Sequence, residues 1–154
     1  MEWNLERLRR ASLAELEALY RRPDEPWVPE GWFHGHVLVR LDNPGARHPF
    51  NLAMQLALFH ATPFGIDFEN RRWFFHHRRL ALGHFVATVG PSRWRDCPAV
   101  ALTYEVTRLP GIIKQMLYDE VKPITDDLCL GLGGTNAERD LGDHFFFALT
   151  RARQ

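Results

Sequence analysis

The carboxylate of Asp119 has the setting in this sequence that most invites chemistry. In "MLYDEVKP" it alternates with Leu117 and Val121, whereas Glu120 alternates with Tyr118 and Lys122. Successive side chains of a strand point to opposite faces, so Asp119 goes inward with the apolar pair, and Glu120 and Lys122 are expected to face solvent. A carboxylate turned inward needs a cation or several hydrogen-bond donors, or its pKa rises. Arg40, Arg108 or a tyrosine hydroxyl could answer it. Buried acids of this kind occur both at functional sites and in structural ion pairs, and both readings stay open here. If the chain is an enzyme, Asp119 is the candidate acid or base, with Tyr104 or His36 assisting.

The histidines offer a second chemistry. "FHGHVLVRL" places His34 and His36 on one face of a strand, in the manner of half a metal site. Cupins follow such a pair with a glutamate. Here Val37, Leu38, Val39, Arg40 and Leu41 follow, and Arg40 would repel a cation. A metal needs three or four donors held by outer partners, and spacing selects no third ligand, so no metal and no cofactor is expected. The expected strand has Val37, Val39 and Leu41 toward the core, with His34, His36 and Arg40 toward solvent or a polar part of a cavity. A haem carrier ligated by one of the 8 histidines is a further reading, but no position stands out. His84 shares a face with Leu80, Leu82 and Val86 and reads as a satisfied core residue. Should the interior hold a ligand, Arg40, Trp73, His84 and Phe146 are the candidate contacts.

Two further stretches suggest nucleotides or nucleic acids and are set aside. "RRWFFHHRR" is basic and aromatic, but Asp67 and Glu69 precede it, and it reads as a surface hairpin with solvated arginines. "GLGG" at 131–134 follows a strand and leads to a loop and another strand. A phosphate loop needs a helix N-terminus after it. These glycines are expected to permit curvature or a tight turn.

The elements that must position these groups follow from periodicity. "ASLAELEALYRR" opens on Ser12 with Glu15 three residues on, a capping box. Leu13, Leu16, Leu19 and Tyr20 form a stripe at helical spacing, and Pro23 stops the helix. The charged segment before it is either a further helical turn or a loose end. "RPDEPWVPEG" reads as an extended connector. "GHVLVRL" is a strand ended by the turn signal "DNPG". "FNLAMQLALFHA" is apolar almost all round and predicts a buried helix over 50–61, stopped before Pro63. From residue 64 the pattern becomes β: strands at about 66–75 and 79–89, then "AVALTYEV", in which Val100, Leu102, Tyr104 and Val106 share a face. "TRLPGIIKQ" is a short turn or helix. "MLYDEVKPI", "DLCLGLGG" and "HFFFALTRA" complete seven or so strands with short connections, the pattern of an antiparallel barrel or strongly curved sheet.

At 154 residues the chain is expected to be one domain, with a helical segment at 1–24 and a barrel at 34–151. The 19 basic and 19 acidic residues cancel, which argues against binding phosphate backbones and hence nucleic acid. With two cysteines, Cys97 and Cys129, no disulfide framework can be drawn. No apolar run approaches the ~20 residues of a membrane span, and the charged N-terminus lacks the apolar core of a signal peptide. A cytoplasmic protein without a membrane partner is expected, with a homodimer as one possible state. Aromatic content of 12%, including 11 Phe and 5 Trp, suits a lined cavity or a thick β core.

The order of pieces resembles a family. The N-terminal helix, "PEGWFHGHVL" at 29–38, the segment near 50–61, "YEVTRLPGIIKQMLYDEVKPITDDLCLGLG" at 104–133 and a final "FAL" at 147–149 are similar to a little-characterised group of bacterial lipocalin-like (calycin-type) small β-barrel proteins. In that group a tyrosine-containing strand leads through an irregular segment to an "RDEIREV" strand and an "LYLG" strand. Here they read "YDEVKPI" and "LCLG", with Cys129 where the pattern often has an aromatic. The resemblance implies an α+β, mainly β protein: a lipocalin-like antiparallel barrel with an apolar cavity, and an N-terminal helix and one further helix packed on it. It implies no settled activity. The function expected is the binding of a small apolar or amphipathic molecule inside the barrel. The alternative is an enzyme on the same scaffold, a cyclase, isomerase or hydrolase of a small hydrophobic metabolite.

Overall fold

A computed structural model describes residues 2–77, 80–108, 110–115 and 117–153. The chain is mainly β. Among the described residues there are nine strands: β1 (Trp32–Arg40), β2 (Phe64–Asp67), β3 (Arg72–Phe75), β4 (Ala81–His84), β5 (Val86–Pro91), β6 (Pro98–Thr103), β7 (Tyr118–Thr125), β8 (Leu128–Gly134) and β9 (Asp143–Arg151). They form one antiparallel sheet in the order β4-β3-β2-β1-β9-β8-β7-β6-β5. Every strand therefore pairs with its sequence neighbour except at β4–β5, and β9 returns to β1. The result is a nearly closed up-and-down barrel. Its seam lies where one extended run changes partners: residues 81–84 pair with β3, and residues 86–91 pair with β6.

Both faces of much of this sheet are covered, which accounts for the unbroken apolar run in β9. Phe145, Phe147 and Leu149 point into the barrel with Phe33, Phe64, Ile66, Phe68, Trp73, Phe75, Phe85, Val100, Leu102 and Val121. Phe146 and Ala148 point outward, where Leu130 and Leu132 of β8 join Leu8, Leu16, Leu19 and Tyr20 from two N-terminal helices. These are α1 (Leu5–Arg10) and α2 (Leu13–Tyr20). The Ser12–Glu15 capping box is formed, satisfying two of the free amides at the start of α2. Leu16, Leu19 and Tyr20 are buried, but Leu13 is 43% exposed, so the stripe starts one turn later than its spacing suggests.

Gly131 and Gly133 lie opposite Phe147 and Phe145 on β9. A Cβ at either position would fall 2.2 Å and 2.5 Å from those rings, so the glycines admit two phenyl groups lying across β8. The "GLGG" stretch is thus a packing device on the inner face of the barrel.

Several expectations are corrected here. A bulge between Val37 and Val39 in β1 puts Val37 against the interior cluster, and Leu38 and Val39 against the outer one. Leu41 follows Val39 to the outer cluster, so the period-two assignment of Val39 and Leu41 with Val37 fails at the bulge. The strand expected at 66–75 is the hairpin β2–β3, whose turn holds Arg71 at φ 54°. "WFF" of "RRWFFHHRR" is buried in β3; residues 78–79, where the expected next strand begins, lie outside the described ones. The predicted helix over 50–61 is α4 (Pro49–Gln55), after the short α3 (Pro44–Arg47), continued by a π-helix at Leu56–His60. It is not buried all round: Phe50 is 50% and Leu56 46% exposed. Its inward contacts include a polar one, Gln55 to His144 at 2.8 Å, and two apolar side chains, Leu58 and Phe59. The short α5 (Gly111–Gln115) lies between β6 and β7.

Candidate functional site

The interior of the barrel is aromatic and carries a small polar centre. Asp119 on β7 is buried and faces inward, between Leu117 and Val121. Tyr104, just past the end of β6, donates its hydroxyl to Asp119 Oδ2. Trp73 on β3 donates its indole N–H to the Tyr104 oxygen at 2.5 Å. The backbone N–H of Gly134 also donates to the Asp119 carboxylate. The chain of donors runs one way, from Trp73 through Tyr104 to Asp119. It also spans the seam, joining β3 to the β6–β7 side of the barrel. Gly83 on β4, at φ 75°, lies over it: a Cβ there would come within 3.4 Å of the Tyr104 ring and 3.7 Å of the Trp73 ring.

No cation is paired with Asp119 among the described residues. Burial in this apolar setting pushes its pKa up to about 7, and the donors from Tyr104 and Gly134 offset only part of that. The Tyr104 hydroxyl is pushed well above its ordinary range, first by burial and then by the adjacent carboxylate. A carboxyl that titrates near neutrality beside a fixed phenol can accept or release a proton, or anchor a polar group of a bound molecule.

The barrel interior next to this centre is filled by rings. Phe59, from the π-helix, enters it with ring centroids 5.0 Å from Phe145, 5.1 Å from Phe64, 5.8 Å from Phe75 and 6.2 Å from Trp73. Leu58 packs beside it. The π-helix is what aims this ring: an extra residue per turn displaces a side chain from the regular helical stripe, a geometry frequent at functional sites.

The other candidate residues lie elsewhere. His36 is half-buried on the outer face, with Nε2 2.9 Å from Thr150 Oγ1 and Nδ1 3.3 Å from Arg9 Nη2. Its pKa is lowered, by burial first and then by Arg9. It is therefore separated by the sheet from Asp119 and Tyr104. Phe146 is on that same outer face, edge-on to Tyr20 at 5.9 Å. Arg40 is exposed at the end of β1. His84 is exposed, not a core residue; it keeps company with Leu80, Leu82 and Val86 as the alternation indicates, but all three are at least 42% exposed because that face of the β4–β5 run points out of the barrel. Trp73 alone of the four candidate ligand contacts sits in the interior.

Glu120 and Lys122 overturn the expectation that they face solvent; both are buried under the N-terminal helices. Glu120 accepts hydrogen bonds from Tyr20 Oη at 2.8 Å, Tyr118 Oη at 2.8 Å, Ser92 Oγ at 2.6 Å and the Arg93 N–H at 2.7 Å. Lys122 Nζ donates to the carbonyls of Arg22 and Pro98. Alternation assigned the faces of β7 correctly. What it lacked was the cover on the outer face, and the only hint of that was the apolar stripe of α2, which needs a surface to lie on.

Both cysteines are buried free thiols, and burial pushes Cys129 up to about 12, far from a nucleophile's range. Among the described residues no group of three or more His, Cys, Asp or Glu is placed to hold a metal ion, and no helix is long and apolar enough to cross a membrane.

No family model matches the chain, and no curated protein matches it. A solved structure titled "Crystal structure of protein from Thermomonospora curvata" is similar, with 19% identity over 93% of this chain and 89% of that chain and a TM-score of 0.49. The fold is a barrel that could hold a ligand, and the comparisons add no ligand or activity to it.

Proposed function

We propose that this protein binds a small apolar or amphipathic molecule inside its barrel, in the manner of lipocalin-like proteins, and that the molecule takes the place of Phe59. The observation that carries this reading is the Trp73–Tyr104–Asp119 chain, the polar centre of an otherwise aromatic interior. Apolar walls with a few convergent polar groups are the usual make-up of a small-molecule site. The walls supply affinity by burial, and Asp119 with Tyr104 fixes the orientation of one polar group. Phe59 reaches the interior from a short irregular helix whose other side chains are largely exposed, so its withdrawal breaks fewer contacts than moving any strand residue would.

The test is an environment-sensitive apolar dye titrated into native wild-type protein and into Phe59→Ala. Truncating this half-buried ring should cost about 2–3 kcal/mol of stability, less than for a fully buried Phe→Ala, and leave an apolar cavity of the kind that accepts small apolar guests. The variant should bind the dye saturably at one site, at least tenfold more tightly than wild type. Dye uptake that appears only as the protein unfolds would mean that the interior is a filled core.

The elevated pKa of Asp119 favours a second reading, an enzyme on the same scaffold with Asp119 as acid or base and Tyr104 as its partner. It would act without His36, which lies on the other side of the sheet. Turnover that follows a group titrating near pH 7 and is abolished in Asp119→Asn would select this reading over simple binding.

A further inference from the structure

The seam carries a feature that the interior site does not use. Among the described residues the outer edge of β4 has no strand beside it: β4 ends the sheet order, and no backbone hydrogen bond joins residues 81–84 to residues 104–108. Where that ladder would run there is a cleft of about 550 Å³, lined by Ala81, Leu82, Gly83, His84 and, across from them, Val106, Thr107 and Arg108. Its volume is within the range of ligand sites, roughly 300–1,000 Å³. Leu82 is 42% and Val106 58% exposed, one on each bank. Among the described residues of this lining the ionisable side chains are His84 and Arg108, both exposed, and none is a carboxylate.

We infer that this cleft is a docking groove for an extended peptide segment bearing an acidic residue, which adds as a strand to the free edge of β4. An unpaired edge is a template for a further strand. In such additions main-chain hydrogen bonds give affinity and alternate side chains give specificity. Leu82 and Val106 provide apolar contact for one set of side chains. The occupant's charge is set by complementarity: Arg108 offers a fork of donors that matches a carboxylate. Four residues of edge are enough for a short ladder of about 13 Å. The edge is only four residues long, which limits non-specific pairing. Gly83 borders both the groove and the interior centre, but Trp73, Tyr104 and Asp119 do not line the groove, so peptide binding here and ligand binding in the barrel are lost by different substitutions.

The probe is a fluorescein-labelled hexapeptide of alternating valine and threonine ending in glutamate with a free carboxylate, set beside an amidated glutamine counterpart and a lysine counterpart. Binding is read by anisotropy and by amide hydrogen exchange of the intact protein. The acidic peptide should bind saturably and slow exchange at residues 81–84, with the glutamine form at least tenfold weaker. Arg108→Glu should reverse the preference toward the lysine form, and Arg108→Gln, a milder change at an exposed site, should abolish the preference. Equal binding of the three peptides, unchanged exchange at residues 81–84, or protection of that edge by concentration-dependent self-association without peptide would each overturn the inference.

Discussion

Replacing Asp119 by asparagine should make the protein more stable at pH 8 and leave it about unchanged at pH 4. The folded-state pKa is about 7, above the unfolded value of about 3.9. Between those values the folded state holds a proton that the unfolded state has released. The contribution of this group to stability is therefore fully present below pH ~4 and is lost as pH rises to about 7. A difference of this size corresponds to roughly 4 kcal/mol at 1.36 kcal/mol per unit, an upper figure for a group so enclosed. Asparagine keeps the shape, carries an oxygen for Tyr104 or Gly134, and cannot ionise. Urea unfolding of wild type and Asp119→Asn at intervals from pH 4 to pH 8 should show the difference opening in the variant's favour across that interval and then staying flat. A constant difference would mean that the carboxyl ionises as an ordinary exposed acid does. A variant less stable at pH 8 than at pH 4, relative to wild type, would mean that the carboxylate is held as an anion by its donors, as in a structural anchor.

Glu120→Ala should be the most damaging single change in the sheet. It strands three hydroxyls and one backbone N–H, all of which now converge on a fully buried carboxylate. Each unsatisfied buried donor costs about 1–3 kcal/mol, and their relaxation is shared, so a total loss of about 3–5 kcal/mol is expected. Tyr20→Phe removes one of these bonds and should cost about 2 kcal/mol, within the range for a hydrogen bond to a charged group. The double variant should lose less than the sum of the two, because the Tyr20 hydroxyl has no partner once the carboxylate is gone. Denaturant unfolding of the four proteins measures this coupling. Hydrogen exchange should show α2 loosening in Glu120→Ala, since Tyr20 ties that helix to β7 through this carboxylate. Strict additivity would show that the two groups do not act together.

The barrel was legible in the sequence because its determinants are local. Alternation marks β6 through Val100 and Leu102 and carries on correctly to the inward Tyr104 just past its end, but fails at Val106, which lies in the following turn and is 58% exposed; the capping box at Ser12–Glu15 marks α2. The inward turn of Asp119 came from the same period-two rule, and so did the opposite orientation of Glu120. What periodicity does not carry is the environment on each side. Glu120 and Lys122 read as solvated because charged groups usually are; the helices that cover them are contributed by residues more than 90 positions away in the chain. Alternation puts His84 with Leu80, Leu82 and Val86, but one face of a strand can be apolar and still point outward, as that face does beside the seam. Residue type alone pairs His36 with Asp119, and the pleat of the sheet sets them on opposite sides. Phe59 carries no signal of its own, because a π-helix shifts a side chain off the helical stripe without leaving a mark on composition.

The most direct test of interior binding uses the five tryptophans as separate reporters. Trp73 belongs to the interior polar chain, Trp94 is buried under the outer face, and Trp3, Trp27 and Trp32 reach the surface. Each indole N–H gives its own signal in a nitrogen–proton correlation spectrum of labelled wild-type protein, assigned by single Trp→Phe variants. During titration with the apolar dye, a molecule that displaces Phe59 should shift the Trp73 signal saturably, complete at one equivalent, and leave Trp94 in place. A titration that moves only the signals of Trp3, Trp27 or Trp32 while Trp73 stays fixed would contradict binding inside the barrel.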